Sequence, residues 1–208
     1  MLFHSPQRLK TRYVERQVCV FAYDIACPKR ARRVRRSLAC HITGGQYSVI
    51  ETFLRPSERY DLLAELISQM DLGQDVLATW APQRGQRVQC SGPSLVTKNI
   101  CDAAVVNTAL SQTLGSGNLM LCYDIRDEER LRAVAALVAA HCVYVQRSVY
   151  WLRGGFECAS ALLLALARLL APDDWVWAYP LSHAGDLWRW QAAASSLLPC
   201  TTTLPRRA

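Results

Sequence analysis

The sequence repeats itself at a constant offset of 100 residues. When residues 23–49 are laid over residues 123–149 without a gap, eleven of the 27 positions are identical, whereas ordinary residue usage gives roughly two. The identical residues, numbered in the first copy, are Tyr23, Asp24, Ile25, Arg30, Arg32, Val34, Ala39, His41, Gln46, Ser48 and Val49. A chain of 208 residues therefore holds two copies of one small module rather than one large domain.

Each copy carries the same order of local signals. A short apolar run ending in Tyr-Asp-Ile, at 18–25 and at 119–125, predicts a buried strand because it is rich in β-branched and aromatic residues. A helix, an extended region long enough for two strands, a second helix and a strand stopped by proline follow in both copies. This is the βαββαβ order of a ferredoxin-like fold, so we predict an α+β protein of two tandem ferredoxin-like domains.

The positions of the two copies divide the chain into five parts. The segment between the copies contains several glycines among polar residues, which is typical of a connector. We predict an N-terminal extension at 1–17, a first ferredoxin-like repeat at 18–92, a linker at 93–117, a second repeat at 118–190 and a C-terminal tail at 191–208.

The amino-acid composition indicates which kind of binding partner and which cellular compartment suit this chain. The chain has 24 Lys and Arg against 17 Asp and Glu, a net charge of +7, which suits a polyanion such as nucleic acid. Its nine cysteines form no CxxC pair and no zinc-ligand spacing, which favours a reducing compartment. The first residues lack the apolar run of a signal peptide, and the longest apolar stretch, 159–171, is too short to cross a bilayer. We therefore expect a cytoplasmic protein without membrane contact.

Several motifs in a fixed order resemble those of a known family. The first copy has Tyr-Asp-Ile at 23–25, KRARRVRR at 29–36, Gln-Tyr-Ser-Val at 46–49 and a last strand that ends before Pro82. The second copy has Tyr-Asp-Ile at 123–125, Gln-Arg-Ser-Val at 146–149 and Trp-Ala-Tyr-Pro-Leu at 177–181. Together they resemble the CRISPR-associated endoribonuclease family, the small adaptation subunit that partners the spacer integrase.

The resemblance implies both a role and a geometry. Members of that family are typically single modules that form homodimers, bridge integrase dimers and hold a DNA duplex before its insertion into a CRISPR array. A metal-dependent cleavage of phosphodiesters is also proposed for them. The resemblance therefore implies that this chain corresponds to both halves of such a dimer joined by a linker, with Asp24 and Asp124 facing one another.

Asp24 and Asp124 are the candidate catalytic and metal-binding residues. Mg²⁺ keeps most of its waters and often takes only one or two protein carboxylates plus a substrate phosphate, so one carboxylate from each copy is sufficient. Two carboxylates brought close together repel one another unless a cation or proton lies between them, which favours a metal at matched positions. The alternative is that each aspartate caps the helix that follows it.

The basic residues that follow each aspartate differ between the copies. Residues 1–82 hold 12 basic and 8 acidic side chains, whereas residues 118–208 hold 9 and 8. Phosphate contacts drive sequence-independent affinity, so we expect the first copy to dominate DNA binding. The alternative is a basic helix that is only solvated. The candidate nucleic-acid-binding residues are Lys29, Arg30, Arg32, Arg33, Arg35, Arg36, Ser48, Arg130, Arg132, Arg147 and Ser148.

Three classes of function stay open at this point. The first, which we favour, is a scaffold that binds double-stranded DNA and the spacer integrase. The second is a free-standing, toxin-like metal-dependent ribonuclease acting on single-stranded RNA. The third is a non-catalytic tandem regulatory module with a small-molecule pocket between its copies. Six basic residues within the first helix count against the third class, because a small-molecule pocket does not need them.

Overall fold

The architecture was obtained as a computed structural model, which describes residues 15–92, 94–100, 112, 114, 118–182 and 187–191. Most of the predicted N-terminal extension, most of the linker and most of the C-terminal tail lie outside these described residues. Among the described helices, none is long and apolar enough to cross a membrane.

The first half of the chain follows the predicted order of elements. The elements are β1 (Gln17–Asp24), α1 (Pro28–Ala39), β2 (Ile42–Gln46), β3 (Val49–Leu54), α2 (Pro56–Ser68) and β4 (Val76–Trp80). Proline stands in the first turn of both helices, where its fixed φ suits the helix and its missing N–H costs no hydrogen bond. A short 3₁₀ turn (Gln83–Gly85) then leads into a hairpin of β5 (Gln86–Ser91) and β6 (Ser94–Asn99).

The second half repeats the order. Its elements are β7 (Leu119–Asp124), α3 (Glu128–His141), β8 (Val143–Gln146), β9 (Val149–Leu152), α4 (Phe156–Leu169), β10 (Trp175–Pro180) and β11 (Trp188–Trp190). Helix α3 begins with an aspartate cap, because the Asp127 side chain accepts a hydrogen bond from the backbone N–H of Arg130 at 2.9 Å.

The strands form two antiparallel sheets, so the predicted α+β class is confirmed. The first sheet has the order β11-β4-β1-β3-β2, and the second has the order β6-β5-β10-β7-β9-β8. The hairpin β5-β6 therefore extends the sheet of the second half, and β11 extends the sheet of the first half. Each half completes its sheet with a strand from the other, which ties the two halves together through backbone hydrogen bonds.

Three apolar clusters arrange these elements in four layers. One lies between α1, α2 and the first sheet, and a second lies between α3, α4 and the second sheet. The third fills the space between the two sheets and contains residues of both halves, including Val20, Trp80, Met120, Trp151 and Tyr179. The helices are thus on the outside, and the inner faces of the two sheets pack against each other.

Candidate nucleic-acid and metal site

The two predicted aspartates lie in one cleft. Asp24 ends β1 and Asp124 ends β7, both side chains are half-buried, and both line an open cleft of about 770 Å³ between the two halves. The cleft is lined by matched residues of both copies, among them Tyr23 and Tyr123. The strand ends of the repeat therefore converge on a common solvent-accessible space.

Neither Asp24 nor Asp124 caps the helix that follows it, which was the alternative role for these residues. The N-cap of α1 is Cys27, whose side chain makes no capping hydrogen bond, and the N-cap of α3 is Asp127. Within the part of the chain that the structure describes, the carboxylates of Asp24 and Asp124 accept no hydrogen bond and form no ion pair. Their oxygens are thus available to a ligand in the cleft.

The turns after β2 and β8 close over the strand ends in the same way in both halves. The backbone N–H of Tyr23 donates to the carbonyl of Ser48 at 3.0 Å, and that of Tyr123 donates to the carbonyl of Ser148 at 3.2 Å. These bonds place Ser48, Ser148 and Arg147, three of the predicted nucleic-acid-binding residues, in the lining of the cleft.

Helix α1 presents the cationic surface that the sequence predicts. Lys29, Arg32, Arg33, Arg35 and Arg36 are exposed, and Arg35 also lines the cleft, where its Nε donates to the hydroxyl of Tyr23 at 3.4 Å. Among the described residues, no carboxylate forms an ion pair with any of these five side chains. The helix therefore offers uncompensated positive charge beside the cleft.

The corresponding helix of the second half has its charge balanced. Arg132 of α3 pairs with Glu128 at 3.0 Å, and Arg126, just before the helix, pairs with Asp173 at 3.7 Å. Both pairs are exposed and contribute little to stability, but each places a carboxylate beside a guanidinium group. The structure thus agrees with the sequence in making the first half the more cationic.

The matched Arg30 and Arg130, also predicted to bind nucleic acid, are held by buried carboxylates. The Nε of Arg30 donates to Asp75 at 2.7 Å, and the Nε of Arg130 donates to Asp174 at 2.7 Å. Both aspartate side chains are fully buried, and each also accepts two backbone N–H bonds. These contacts join α1 to the start of β4 and α3 to the start of β10. The two arginines therefore have a structural role.

The buried aspartates stay ionised because of their donors. Burial raises the pKa of Asp75, but hydrogen bonds from Arg30 and from the backbone of Asp71 and Ala26 outweigh this, so its pKa is lowered. The pKa of Asp174 is lowered by the same balance of burial and hydrogen bonds. Both aspartates stand directly before the last predicted strand of their copy. They are 99 rather than 100 residues apart and lie outside the ungapped alignment, so the repeat does not identify them as a matched pair.

Tyr144 of the second half lies beside Asp24 of the first. Its pKa is raised by burial and then by the negative charge of Asp24. Burial, together with the neighbouring Tyr150, also raises the pKa of Tyr123. The phenols therefore stay protonated near neutral pH and can donate hydrogen bonds into the cleft.

The described residues contain no group of three or more His, Cys, Asp or Glu side chains placed to hold a metal ion. A site made of Asp24 and Asp124 alone still fits Mg²⁺, which takes one or two protein carboxylates and completes its shell with water or phosphate. It does not fit a fully protein-ligated ion such as structural zinc.

An α+β protein with two half-buried carboxylates in an open cleft, and an uncompensated cationic helix beside it, has the features of a protein that binds nucleic-acid backbones. Comparisons with known proteins identify relatives of the chain. The family model described as CRISPR associated protein Cas2 matches residues 118–186. The chain is also 32% identical over 80 residues to the CRISPR-associated endoribonuclease Cas2 2 of Nitrosomonas europaea, a match that covers 38% of this chain and 71% of that protein. The chain belongs to the Cas2 family.

One solved structure, that of a hypothetical protein from Thermus thermophilus, is 31% identical and superposes with a TM-score of 0.32. The superposition covers 34% of this chain and 85% of the other.

Proposed function

We propose that this chain is a single-chain, two-module form of the Cas2 fold, in which two tandem ferredoxin-like repeats take the place of two associating subunits. Three observations support this: the identities at offset 100, the βαββαβ order on both sides of the linker, and the reciprocal exchange of β11 and the β5-β6 hairpin. We place the repeats at 18–92 and 118–190, keeping the sequence boundaries, with β5 and β11 as the strands that bind the opposite half.

We further propose that the chain binds double-stranded DNA and bridges the spacer integrase during CRISPR adaptation. The observation that carries this proposal is the uncompensated cationic surface of α1 beside a cleft that contains residues of both halves. Phosphate binding by exposed lysine and arginine needs no base contacts, which suits a protein that must hold DNA of many sequences. Ser48, Ser148 and Arg147 at the cleft would add contacts to the backbone.

The cofactor proposal is Mg²⁺ held by Asp24 and Asp124. When bound, such an ion activates water and offsets negative charge on phosphoryl oxygens. The two aspartates bind the ion, and the turn residues and Arg35 orient a phosphate backbone along the cleft. Free carboxylate oxygens in a shared cleft also support the second candidate function, a metal-dependent endoribonuclease acting on single-stranded RNA.

One set of variants separates the scaffold from the ribonuclease. Asp24→Asn and Asp124→Asn remove one carboxylate charge each without changing side-chain size, and Asp173→Asn removes an exposed charge outside the cleft. If the chain is a scaffold, all three variants co-purify with the integrase from the native host and support spacer insertion. If it is a ribonuclease, cleavage of RNA is lost in either cleft variant and on chelation, and is kept in Asp173→Asn. The scaffold proposal would be overturned if the chain failed to bind duplex DNA or failed to bind the integrase.

A further inference from the structure

The second half of the cleft carries a series of tyrosine rings, which we call the tyrosine shelf. Tyr123 stacks on Tyr150 with ring centroids 6.0 Å apart and an interplanar angle of 18°. Tyr144 meets Tyr150 edge to face, with centroids 5.5 Å apart and an angle of 79°. All three rings line the cleft, and their exposure rises from 7% at Tyr123 to 53% at Tyr144. The shelf thus runs from the core into the solvent-filled space.

In the first half, Gly44 and Ile50 take the places of Tyr144 and Tyr150, and the strand register also differs. Tyr144 pairs with Tyr150 across the strands β8 and β9, whereas the partner of Ile50 across β2 and β3 is Gly45. The irregularity in the pairing lies between Ile42 and Gly44 in the first half, but between Tyr144 and Gln146 in the second. Gly45 has φ +110°, and a Cβ there would lie 2.3 Å from the carbonyl oxygen of Val49. No side chain can therefore occupy that position in the first half.

Packing explains the inner part of the shelf but not its outer ring. Tyr123 and Tyr150 contribute to the cluster between the second sheet and its helices, whereas more than half of the Tyr144 side chain is exposed. The ring is nevertheless fixed in orientation by its contact with Tyr150. An exposed, oriented aromatic ring inside a polar cleft is the arrangement with which proteins stack unpaired nucleobases.

Two cationic side chains line the same cleft as the shelf. Arg147, in the turn directly after β8, is exposed and lines the cleft, and Arg35 lines it from α1. A cleft of about 770 Å³ has room for more than a single base. A base resting on Tyr144 would therefore have guanidinium groups within the same cleft for its phosphates.

We propose that the tyrosine shelf is a stacking site for one unpaired nucleobase, so that the cleft prefers nucleic acid with an unpaired residue over a fully paired duplex. This inference rests on the proposed nucleic-acid-binding function and adds a ligand class to it. In a continuous duplex both faces of each base are already stacked on neighbours, so Tyr144 gains nothing from it. The unpaired base can come from single-stranded RNA or from a single-stranded end of a DNA duplex.

Binding assays on the full chain test this. Fluorescence anisotropy is measured with a blunt DNA duplex, the same duplex with an unpaired thymine end, and single-stranded oligouridine. We expect Tyr144→Leu to weaken binding of the two ligands with unpaired bases by about 10-fold and to leave the blunt duplex unchanged. Tyr144→Phe keeps the ring and should bind like the original chain. Phe156→Leu removes an exposed aromatic ring outside the cleft and serves as the matched control.

A crosslinking experiment locates the base. An oligonucleotide with 5-iodouracil at its unpaired position is irradiated on the protein, and the crosslinked peptide is identified by mass spectrometry. We expect the crosslink at Tyr144 and its loss in Tyr144→Leu. Crosslinking at another residue, or equal loss of duplex and single-strand affinity in Tyr144→Leu, would overturn the inference and leave the scaffold proposal intact. Absence of binding to all three ligands would overturn both.

Discussion

Removing the charge of α1 should change how strongly salt weakens DNA binding. Arg32, Arg33 and Arg36 are exposed, lie outside the cleft lining, and form no ion pair with a described carboxylate. Each arginine that contacts a phosphate contributes about 0.9 to the slope of log K against log salt concentration. The triple alanine variant should therefore have a slope smaller by about 2.7. When salt is raised from about 50 to 200 mM, the factor by which binding weakens should be roughly 40-fold smaller for the variant than for the original chain.

The matched control removes the same charge from the second half. Arg126, Arg132 and Arg168 are also exposed, and the first two are already neutralised by Asp173 and Glu128. Their replacement by alanine should leave the slope within about 0.9 of its original value. The assay is fluorescence anisotropy of a labelled duplex over a series of salt concentrations. Equal changes of slope in the two triple variants would refute the reasoning, because the net charge alone would then decide binding.

Three further predictions concern stability and reactivity. Asp75→Ala removes a buried carboxylate that neutralises an arginine and accepts two backbone N–H bonds, so the free energy of unfolding in urea should fall by about 3 kcal/mol; a change below about 0.5 kcal/mol would contradict this role. Because the pKa values of Asp75 and Asp174 are lowered in the folded state, their stabilisation is present above the unfolded value of about 3.9 and is lost as the pH falls below it. Urea midpoints from neutral to acid pH should show this loss, and Asp75→Asn should show less of it. The backbone N–H groups of Arg30 and Lys29, in the first turn of α1, lower the pKa of Cys27, so iodoacetamide should modify Cys27 faster than Cys40 near neutral pH. Peptide mapping measures the two rates, and equal rates would count against the lowered pKa of Cys27.

The elements of each half could be predicted from the sequence because their signals are local. The strand predicted at 18–25 is Gln17–Asp24, and the first helix begins at the proline that the sequence offers at its first turn. The pairing of β5 and β11 could not be predicted in this way. Their sequences indicate short extended segments, but the sheet that accepts them is decided by contacts between residues far apart in the chain.

The candidate site was predictable in its symmetric part. Asp24 and Asp124 were found because a repeat at offset 100 places them at equivalent strand ends, and the structure brings both into one cleft. Arg30 and Arg130 match equally well, and their charge suggested phosphate binding. Their buried partners precede the last strand of each half, and the side chain of an arginine can reach them only once helix and strand are packed together. Sequence spacing alone therefore does not predict these two contacts.

In the single-chain, two-module form that we propose, equivalent positions of the two repeats are free to differ, and the space between the sheets contains such a difference. Glu51 and Trp151 are equivalent in the repeat, and both are buried. Glu51 pairs with Arg87 of β5 and accepts a hydrogen bond from the Tyr179 hydroxyl at 2.8 Å, and both partners belong to the other sheet. Two identical subunits related by a two-fold axis would carry the same residue at both positions. A buried glutamate needs a positively charged partner. The exchanged β5-β6 hairpin supplies Arg87 to Glu51, and the equivalent Trp151 needs no such partner. The proposed two-module form accounts in the same way for the unequal charge of α1 and α3 and for the tyrosine shelf of the second half, since each half of one chain can change without the same change in the other.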